Sequence, residues 1–338
     1  MNFAIIGCGH IAKRHAQLIP TYGNLVAVCD TDAHKAQAFA ANYAARAYTD
    51  LAILLQEETT LDLVVICTPN GLHAAQSIAC LQAGKHVLCE KPMAIASSDC
   101  DAMMTMAKAK HKQLFVVKQN RFNPPVQAVK KAIDEHRLGT LFAVQVNGFW
   151  NRNENYYQDA WRGTLDLDGG TLYTQFSHFI DVLLYLMGDL ASVQWMGENY
   201  MHSDSIAFED TGIACLQFKN KAIGTLQYTV NAYEKNMEGS ITIFGTKGTV
   251  KIGGAYLNEL TYQAIEDYHI ALEQSTQKEN DYGSYKGSMS NHDQVYANMM
   301  QVLNDQASPI TTLEEARNTV YWIEQMYGRK EGRGRDRD

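Results

Sequence analysis

Short apolar runs alternate with amphipathic stretches through the first third of the chain. Phe3–Ile6, Leu25–Cys29, Leu63–Cys67, Val87–Cys89 and Leu114–Val117 have the length and β-branched content of buried strands. Helical patterns at 35–43, 72–82 and 102–108 lie between them. Strands alternating with helices at this spacing predict right-handed βαβ units and a parallel sheet. From about Asn120 the pattern changes. Pro124-Pro125 opens a helix through Ile133, since proline suits a helix's first turn. Strand-like runs follow at 141–150, 191–195, 211–218, 222–230, 240–244 and 249–252, several joined by short turns such as Gly245-Thr246-Lys247-Gly248. This predicts an antiparallel meander, and alternation as in Ala214, Leu216 and Phe218 predicts one face under helices and one free to meet a partner. A helix over 170–187 separates the first of these strands from the rest. Residues 253–287 read as an irregular, mobile excursion past Tyr262, and 292–303 as a helix. Thr312-Leu313-Glu314-Glu315 is a capping box opening a last helix through Tyr327.

The chain's 338 residues suggest two domains. With 46% hydrophobic and 20% charged residues and a net charge of −8, the composition is that of a soluble protein with no electrostatic case for nucleic acid or an anionic membrane as partner. No apolar run is long enough to span a bilayer and no signal peptide precedes the first strand, so a cytoplasmic location is expected. Seven cysteines form no CxxC and no Cys/His ligand spacing, so they are expected as buried thiols, with no metal site.

The chemistry begins where the first strand runs into Gly7-Cys8-Gly9-His10-Ile11-Ala12. A strand, then G-x-G-x-x-A, then a helix is the dinucleotide fingerprint: Gly7 allows the tight turn, Gly9 lets a pyrophosphate approach, and Ala12 lets the helix pack closely. The next strand ends in Asp30, placed to accept the ribose hydroxyls and to repel a 2′-phosphate, with no arginine after it to neutralise one. NAD is therefore the expected cofactor. Thr68-Pro69-Asn70 lies at another strand's carboxyl end and should line the same cleft. His73, one turn on, is either a ribose contact or an exposed helical histidine. The strand at Val87–Cys89 delivers Glu90, Lys91 and Pro92 to its carboxyl end, where a lysine can hold a developing alkoxide or relay a proton. A solvated lysine before a turn proline is the plainer reading. His178 and Asp181 share one helix face. The histidine is either a satisfied core residue or a base, and the aspartate either accepts from its imidazole and orients it or is solvated.

Taken together, Gly7-x-Gly9-x-x-Ala12, Asp30, Thr68-Pro69-Asn70, Ala83–Pro92 (AGKHVLCEKP) and Gly169-Gly170 followed by His178-x-x-Asp181 resemble the Gfo/Idh/MocA oxidoreductases over essentially the whole chain. The resemblance implies an α/β protein with a Rossmann NAD-binding domain at 1–119. An α+β domain at 120–328 with a large, mainly antiparallel open sheet would bind substrate and oligomerise, leaving a disordered tail at 329–338. It also implies that Lys91 and His178 are catalytic, facing the nicotinamide and the reacting carbinol, and that the Lys91–Pro92 peptide is a candidate cis bond. Gly7, Gly9, His10, Ile11, Asp30, Thr68, Pro69, Asn70, His73, Glu90, Lys91, Gln119 and the Trp161-Arg162 pair would hold the cofactor. One departure stands out: Thr174 occupies a place where many members carry an aspartate.

More narrowly, 116–125, 149–157 and 170–178 resemble the UDP-N-acetylglucosaminuronate (UDP-GlcNAcA) 3-dehydrogenases of bacterial surface-polysaccharide (lipopolysaccharide O-antigen) synthesis, which oxidise the sugar's 3-hydroxyl with NAD. That likeness implies a substrate site of Lys91, Arg121, Arg152, Tyr156, Tyr157, Thr174, Gln175 and His178, and a homo-oligomer, dimer or tetramer. Arg121 and Arg152 would meet the substrate's anionic groups; the alternative is that they pair with Glu154 or Asp159 at the surface. A free-polyol or sugar dehydrogenase, an NAD-dependent glycosidase of the same fold, and a cofactor-binding sensor without catalysis remain competing expectations.

Overall fold

The computed structural model describes residues 1–272, 279–281 and 286–328. They form two compact units. The first takes in Met1–Val117 and His292–Val320, the second Lys118–Asn291 and 321–328.

In the first unit, strands β1 (Asn2–Ile6), β2 (Asn24–Cys29), β3 (Arg46–Tyr48), β4 (Leu63–Ile66), β5 (His86–Cys89) and β6 (Leu114–Val116) alternate with helices α1 (His10–Leu18), α2 (Ala33–Tyr43), α3 (Leu51–Glu57), α4 (His73–Gln82) and α5 (Ser97–Ala109). The sheet order is β3-β2-β1-β4-β5-β6 and every pair is parallel. Helices cover both faces, so Leu63, Val64, Val65 and Ile66 are all fully buried, which is why the strands read as unbroken apolar runs. The order reverses between β1 and β4, opening a crevice at their carboxyl ends. Asp32 and Asp50 cap α2 and α3 by accepting the first backbone N–H groups. β3 and α3 are absent from the sequence expectation because neither is long enough to show a period.

The second unit holds α6 (Pro124–Asp134), β7 (Leu141–Phe149), α7 (Ser177–Met187), β8 (Leu190–Glu198), β9 (Thr211–Phe218), β10 (Ile223–Thr229), β11 (Glu238–Gly245), β12 (Gly248–Gly253), β13 (Glu259–Ile265) and the short pair β14 (Glu279–Asp281) and β15 (Lys286–Met289). Its main sheet runs β13-β12-β11-β7-β10-β9-β8. This corrects the expected meander. β7, first in the chain, inserts between β10 and β11 and pairs parallel to β10, while every other pair is antiparallel. β13 also forms where irregular chain was expected, paired to β12. The inner face carries Val144, Val146, Leu216, Leu226, Ile241 and Ile243, all buried under α7 and its neighbours. On the outer face Met196, Ile213 and Ile223 are 72%, 37% and 62% exposed. Residues 273–278 and 282–285 of the expected excursion, and the expected disordered tail from 329, lie outside the described residues.

The sequence reading assigns 292–320 to the second domain, yet helix α8 (His292–Leu303) groups with the first unit. The reason is packing: Tyr296 is fully buried, stacked on Tyr22 at 5.5 Å and 6.3 Å from the Phe3 ring. Burying such a side chain stabilises by about 1.5–3 kcal/mol. The last helix, α9 (Leu313–Met326), starts at the expected capping box, in which Glu315 Oε2 accepts Thr312 N–H at 2.9 Å and Thr312 Oγ1 accepts Glu315 N–H at 3.2 Å. Among the described residues no helix is long and apolar enough to cross a membrane.

Candidate functional site

The first unit presents the dinucleotide fingerprint in three dimensions. Gly7 adopts φ +90°, and a Cβ there would lie 2.8 Å from the Cys67 carbonyl, so the turn between β1 and α1 closes directly on the end of β4. Gly9 is the N-cap of α1 and supplies no side-chain bond, and a Cβ on it would meet nothing within 4 Å. Open space before uncapped helix N–H groups is what a pyrophosphate requires, so the residues present fit a dinucleotide. His10, exposed, and Ile11, half-buried, form the first turn of α1. Asp30, at the end of β2, accepts the Cys8 amide at 2.8 Å and the Asp32 amide at 2.9 Å, which locks its carboxylate beside the glycine turn.

The β4 turn places half-buried Thr68 and Pro69 and buried Asn70 at the crevice, and Thr68 Oγ1 donates to Gln76 Oε1 at 2.6 Å. His73 is not the exposed helical histidine of the plainer expectation. It is 1% exposed, with its ring nitrogens 2.7 Å from the Pro92 carbonyl and 2.9 Å from the Thr68 carbonyl. It straps the β4 turn to the β5 turn, a role set by contacts that helical periodicity does not encode. Lys91 is half-buried, and its peptide to Pro92 is cis. The Glu90 carboxylate, expected among the cofactor contacts, is turned inward: it accepts His15 Nε2–H at 2.9 Å, His292 Nε2–H at 3.2 Å and the Lys91 amide at 3.1 Å. The sequence reading missed His15 and His292 altogether. Cys8, Cys29, Cys67, Cys80, Cys89 and Cys100 are buried, and burial raises the Cys8 and Cys80 thiols to about 12, which disfavours their thiolate forms.

In the second unit a π-helical turn, Leu172–Phe176, replaces the start of the single helix expected over 170–187. Such turns widen the helix and recur at functional sites. It delivers His178, 4% exposed, to the first turn of α7. Asp181, one turn on, is held by two cations. Arg121, 1% exposed, donates Nε to Asp181 Oδ2 at 2.9 Å and Nη2 to Oδ1 at 2.8 Å, and Lys118 Nζ lies 3.4 Å from the same carboxylate. Burial alone would raise the Asp181 pKa, but the two cations outweigh it and hold the carboxyl below its ordinary range. Arg121 also lies over the Tyr185 ring at 4.6 Å. Its guanidinium is thus part of a buried ion pair within this unit. Gln119 is likewise engaged within this unit, its amide donating to Ser288 Oγ at 2.8 Å.

Six of the remaining expected residues do come together. Arg152, 3% exposed, donates Nε to Gln175 Oε1 at 2.8 Å and Nη1 to the Asn151 carbonyl at 2.6 Å and to Asn236 Oδ1 at 3.1 Å. Gln175 Nε2 in turn donates to the Tyr156 hydroxyl at 2.6 Å. The Tyr156 ring has the Arg152 guanidinium 5.3 Å from its centroid and that of Arg162 at 3.8 Å, and Arg162 is held by Asp159 at 3.0 Å. Tyr157 meets Tyr156 edge-on at 5.0 Å, with His202 at the same distance. Trp161, half-buried, lies under Arg162 at 5.0 Å. Thr174 donates its hydroxyl to the buried carboxylate of Asp168, which also accepts the Gly163 amide at 2.9 Å. A carboxylate is therefore present beside the residue that seemed to have lost one. Asp168 carries no motif, and only its position six residues before Thr174 hinted at it.

Comparison with known proteins agrees with both halves. Residues 1–118 match the model of the oxidoreductase family with NAD-binding Rossmann fold, and 126–251 match the GFO/IDH/MocA C-terminal domain. The WlbA dehydrogenase of Chromobacterium violaceum, solved with NADH and UDP-GlcNAcA, is 36% identical with a TM-score of 0.88, covering 97% of this chain and 93% of that one. The WlbA dehydrogenase of Bordetella pertussis, solved with the same two molecules, is 35% identical with a TM-score of 0.86, covering 97% and 95%. Levoglucosan dehydrogenase of Pseudarthrobacter phenanthrenivorans is 28% identical over 235 residues, and the chain spans 60% of that enzyme's length. The two matched domains, with the glycine turn and Asp30, make the chain a member of the GFO/IDH/MocA oxidoreductase family, an enzyme with an NAD-binding Rossmann domain.

Proposed function

We propose that the protein oxidises the 3-hydroxyl of UDP-GlcNAcA to the ketone in the synthesis of a bacterial surface polysaccharide. The observation that carries this reading is the likeness, at 35–36% identity over 97% of the chain, to two proteins solved with that nucleotide sugar. The Arg152–Gln175–Tyr156 cluster supports it, since a fixed guanidinium suits a substrate carrying a uronate and a diphosphate. When bound, NAD supplies the hydride acceptor; Gly7, Gly9, the first turn of α1 and Asp30 would hold it. His178 takes the hydroxyl proton as the hydride leaves carbon 3, and Lys91 stabilises the developing alkoxide. The test is incubation with NAD and UDP-GlcNAcA. A sugar product lighter by two hydrogens, formed with one NADH in a single turnover, supports the reading. Release of UDP without net NADH would mean an NAD-dependent glycosidase instead.

The Asp168–Thr174 contact keeps a second reading open, because it restores a carboxylate whose apparent loss argued against a free-sugar or polyol dehydrogenase. Turnover of levoglucosan or an inositol in preference to UDP-GlcNAcA would favour that reading.

Asp30 also sets an expectation for the cofactor. Its carboxylate is fixed by two amides, so it meets the adenine ribose without rearrangement and repels a 2′-phosphate. NAD should bind at least about tenfold more tightly than NADP, a difference of about 1.4 kcal/mol, and Asp30→Ala should narrow the gap. Equal wild-type affinities by fluorescence titration would refute this. For assembly, the outer sheet face with Met196, Ile213 and Ile223 is assigned to contact with a second copy of the chain. Light scattering should give a dimer or tetramer, and a monomer at micromolar concentration would reject the assignment.

A further inference from the structure

Behind the Glu90-Lys91-Pro92 turn lies a buried hydrogen-bonded cluster that the proposed reaction does not use directly. His15 on α1 and His292 and Tyr296 on α8 are each no more than 1% exposed. Both histidine Nε2 atoms face the same oxygen, Glu90 Oε1, at 2.9 and 3.2 Å. His15 Nδ1 faces the Tyr296 hydroxyl at 2.9 Å, and the two imidazoles meet edge to face at 5.4 Å. The other carboxylate oxygen, Oε2, accepts the backbone N–H of Lys91 at 3.1 Å.

The proton inventory is determined by these contacts. Burial alone would raise the Glu90 pKa, but the bonds from His15 and His292 outweigh it, so the carboxyl stays well below its usual range and can only accept. Burial lowers the His15 pKa below its ordinary value, so the ring carries one proton at neutral pH. That proton belongs on Nε2, facing the carboxylate, and Nδ1 accepts from Tyr296. His292 Nε2 donates as well, because the carboxylate oxygen it faces can only accept. Although the three ligand-type side chains converge within 4.8 Å, their separations are those of N–H···O bonds, and each donor reaches its acceptor without an intervening ion.

We propose that His15, His292 and Tyr296 are positioning residues for Lys91, acting through Glu90. They fix the carboxylate, and the carboxylate fixes the Lys91 amide from which the side chain springs. The inference rests on the assignment of Lys91 to catalysis. A displacement of about 1 Å at a reacting group can cost on the order of 10²-fold in rate, so a tether on the lysine's own peptide is a direct lever on turnover.

The test compares His292→Leu, which removes a donor to Glu90, with His292→Gln, whose amide N–H restores one, and adds Glu90→Gln. Glu90→Gln turns an NH₂ group against an N–H donor on one side or the other. NADH affinity by fluorescence, melting temperature, metal content, and kcat and KM for UDP-GlcNAcA are read on each. His292→Leu and Glu90→Gln should lower kcat roughly 10–100-fold with KM and NADH Kd within about twofold, and His292→Gln should recover most of the rate. In a Lys91→Ala background the same changes should lower the residual rate no further, because their effect passes through the lysine. Wild-type kcat in His292→Leu with only a lower melting temperature would overturn the inference. So would a parallel loss of NADH affinity, additive losses in the Lys91→Ala background, or a stoichiometric metal, which would need histidine lone pairs where the cluster needs N–H groups. If Lys91→Ala itself kept full activity, the catalytic assignment would fall and this inference with it. An inactive Lys91→Ala beside an unaffected His292→Leu sinks this inference alone.

Discussion

Under the proposed function, replacing Lys91 or His178 by alanine should lower kcat by roughly 10²–10⁴-fold while NADH still binds. The expectation follows from charge balance. A hydride can leave carbon 3 only as the hydroxyl proton leaves, so a base must take the proton and a cation must hold the oxygen meanwhile. His178 is 4% exposed, set on the first turn of α7 by the π-helical turn before it. Lys91 is half-buried at the carboxyl end of β5, on a turn tied down through Glu90 and His73. The loss corresponds to about 3–5 kcal/mol of transition-state stabilisation. It should appear in kcat rather than KM, since neither group is assigned to ground-state binding alone. His178→Gln is the informative companion, because it keeps a hydrogen bond but cannot accept a proton and remain a base. Single-turnover NADH formation measures the rate, and fluorescence titration confirms that the cofactor site survives. Near-normal turnover in both alanine variants would refute the assignment.

The second large effect expected under the proposed function is a preference for the uronate over uncharged UDP-N-acetylglucosamine. Arg152 is the residue proposed to read the carboxylate. Arg121 spends its fork on Asp181, so Arg121→Lys should reduce thermal stability and leave the ratio of kcat/KM for the two sugars unchanged. Arg152 is held by the Gln175, Asn151 and Asn236 oxygens and stacked on Trp150 and Tyr156. Its plane is therefore set before any ligand arrives, and little rotamer entropy remains to be lost on binding. Arg152→Lys keeps the charge but loses the planar fork. Losing one charge-assisted bond costs on the order of 1.5–3 kcal/mol, so the preference should shrink ten- to more than a hundredfold. Equal wild-type rates on both sugars would mean the carboxylate is not read and the substrate proposal fails.

What was legible in the sequence was local. The glycine turn, Asp30, the capping box at Thr312 and the Glu90-Lys91-Pro92 turn are each written within a few residues, and periodicity assigned both sheets to their units. What was not legible was long-range pairing. Arg121 finds Asp181 across 60 positions and Glu90 finds His292 across 202, and neither partner announces itself by motif. Strand order failed for a related reason: alternation shows which face of β7 is buried but not that β10 and β11 flank it. The π-helical turn was invisible because apolar residues at helical spacing do not register one extra residue per turn. Thr174 shows the same limit, since a charge missing at one position was supplied in space by Asp168.

The placement of α8 has a consequence for biogenesis. A nascent chain that has emerged only as far as β6 holds every strand of the parallel sheet, yet Phe3 lacks Tyr296 against it and Glu90 lacks one of its two histidine donors. The second unit waits as well, because Glu209 accepts the Tyr327 hydroxyl at 2.8 Å from the last turn of the described chain. Neither unit can be completed in order from the N-terminus, as separate domains on one chain commonly are. Both close when the final helices leave the ribosome, so a stop codon or a proteolytic cut between α7 and α8 would strip partners from the nucleotide unit even though the fingerprint residues themselves remained intact.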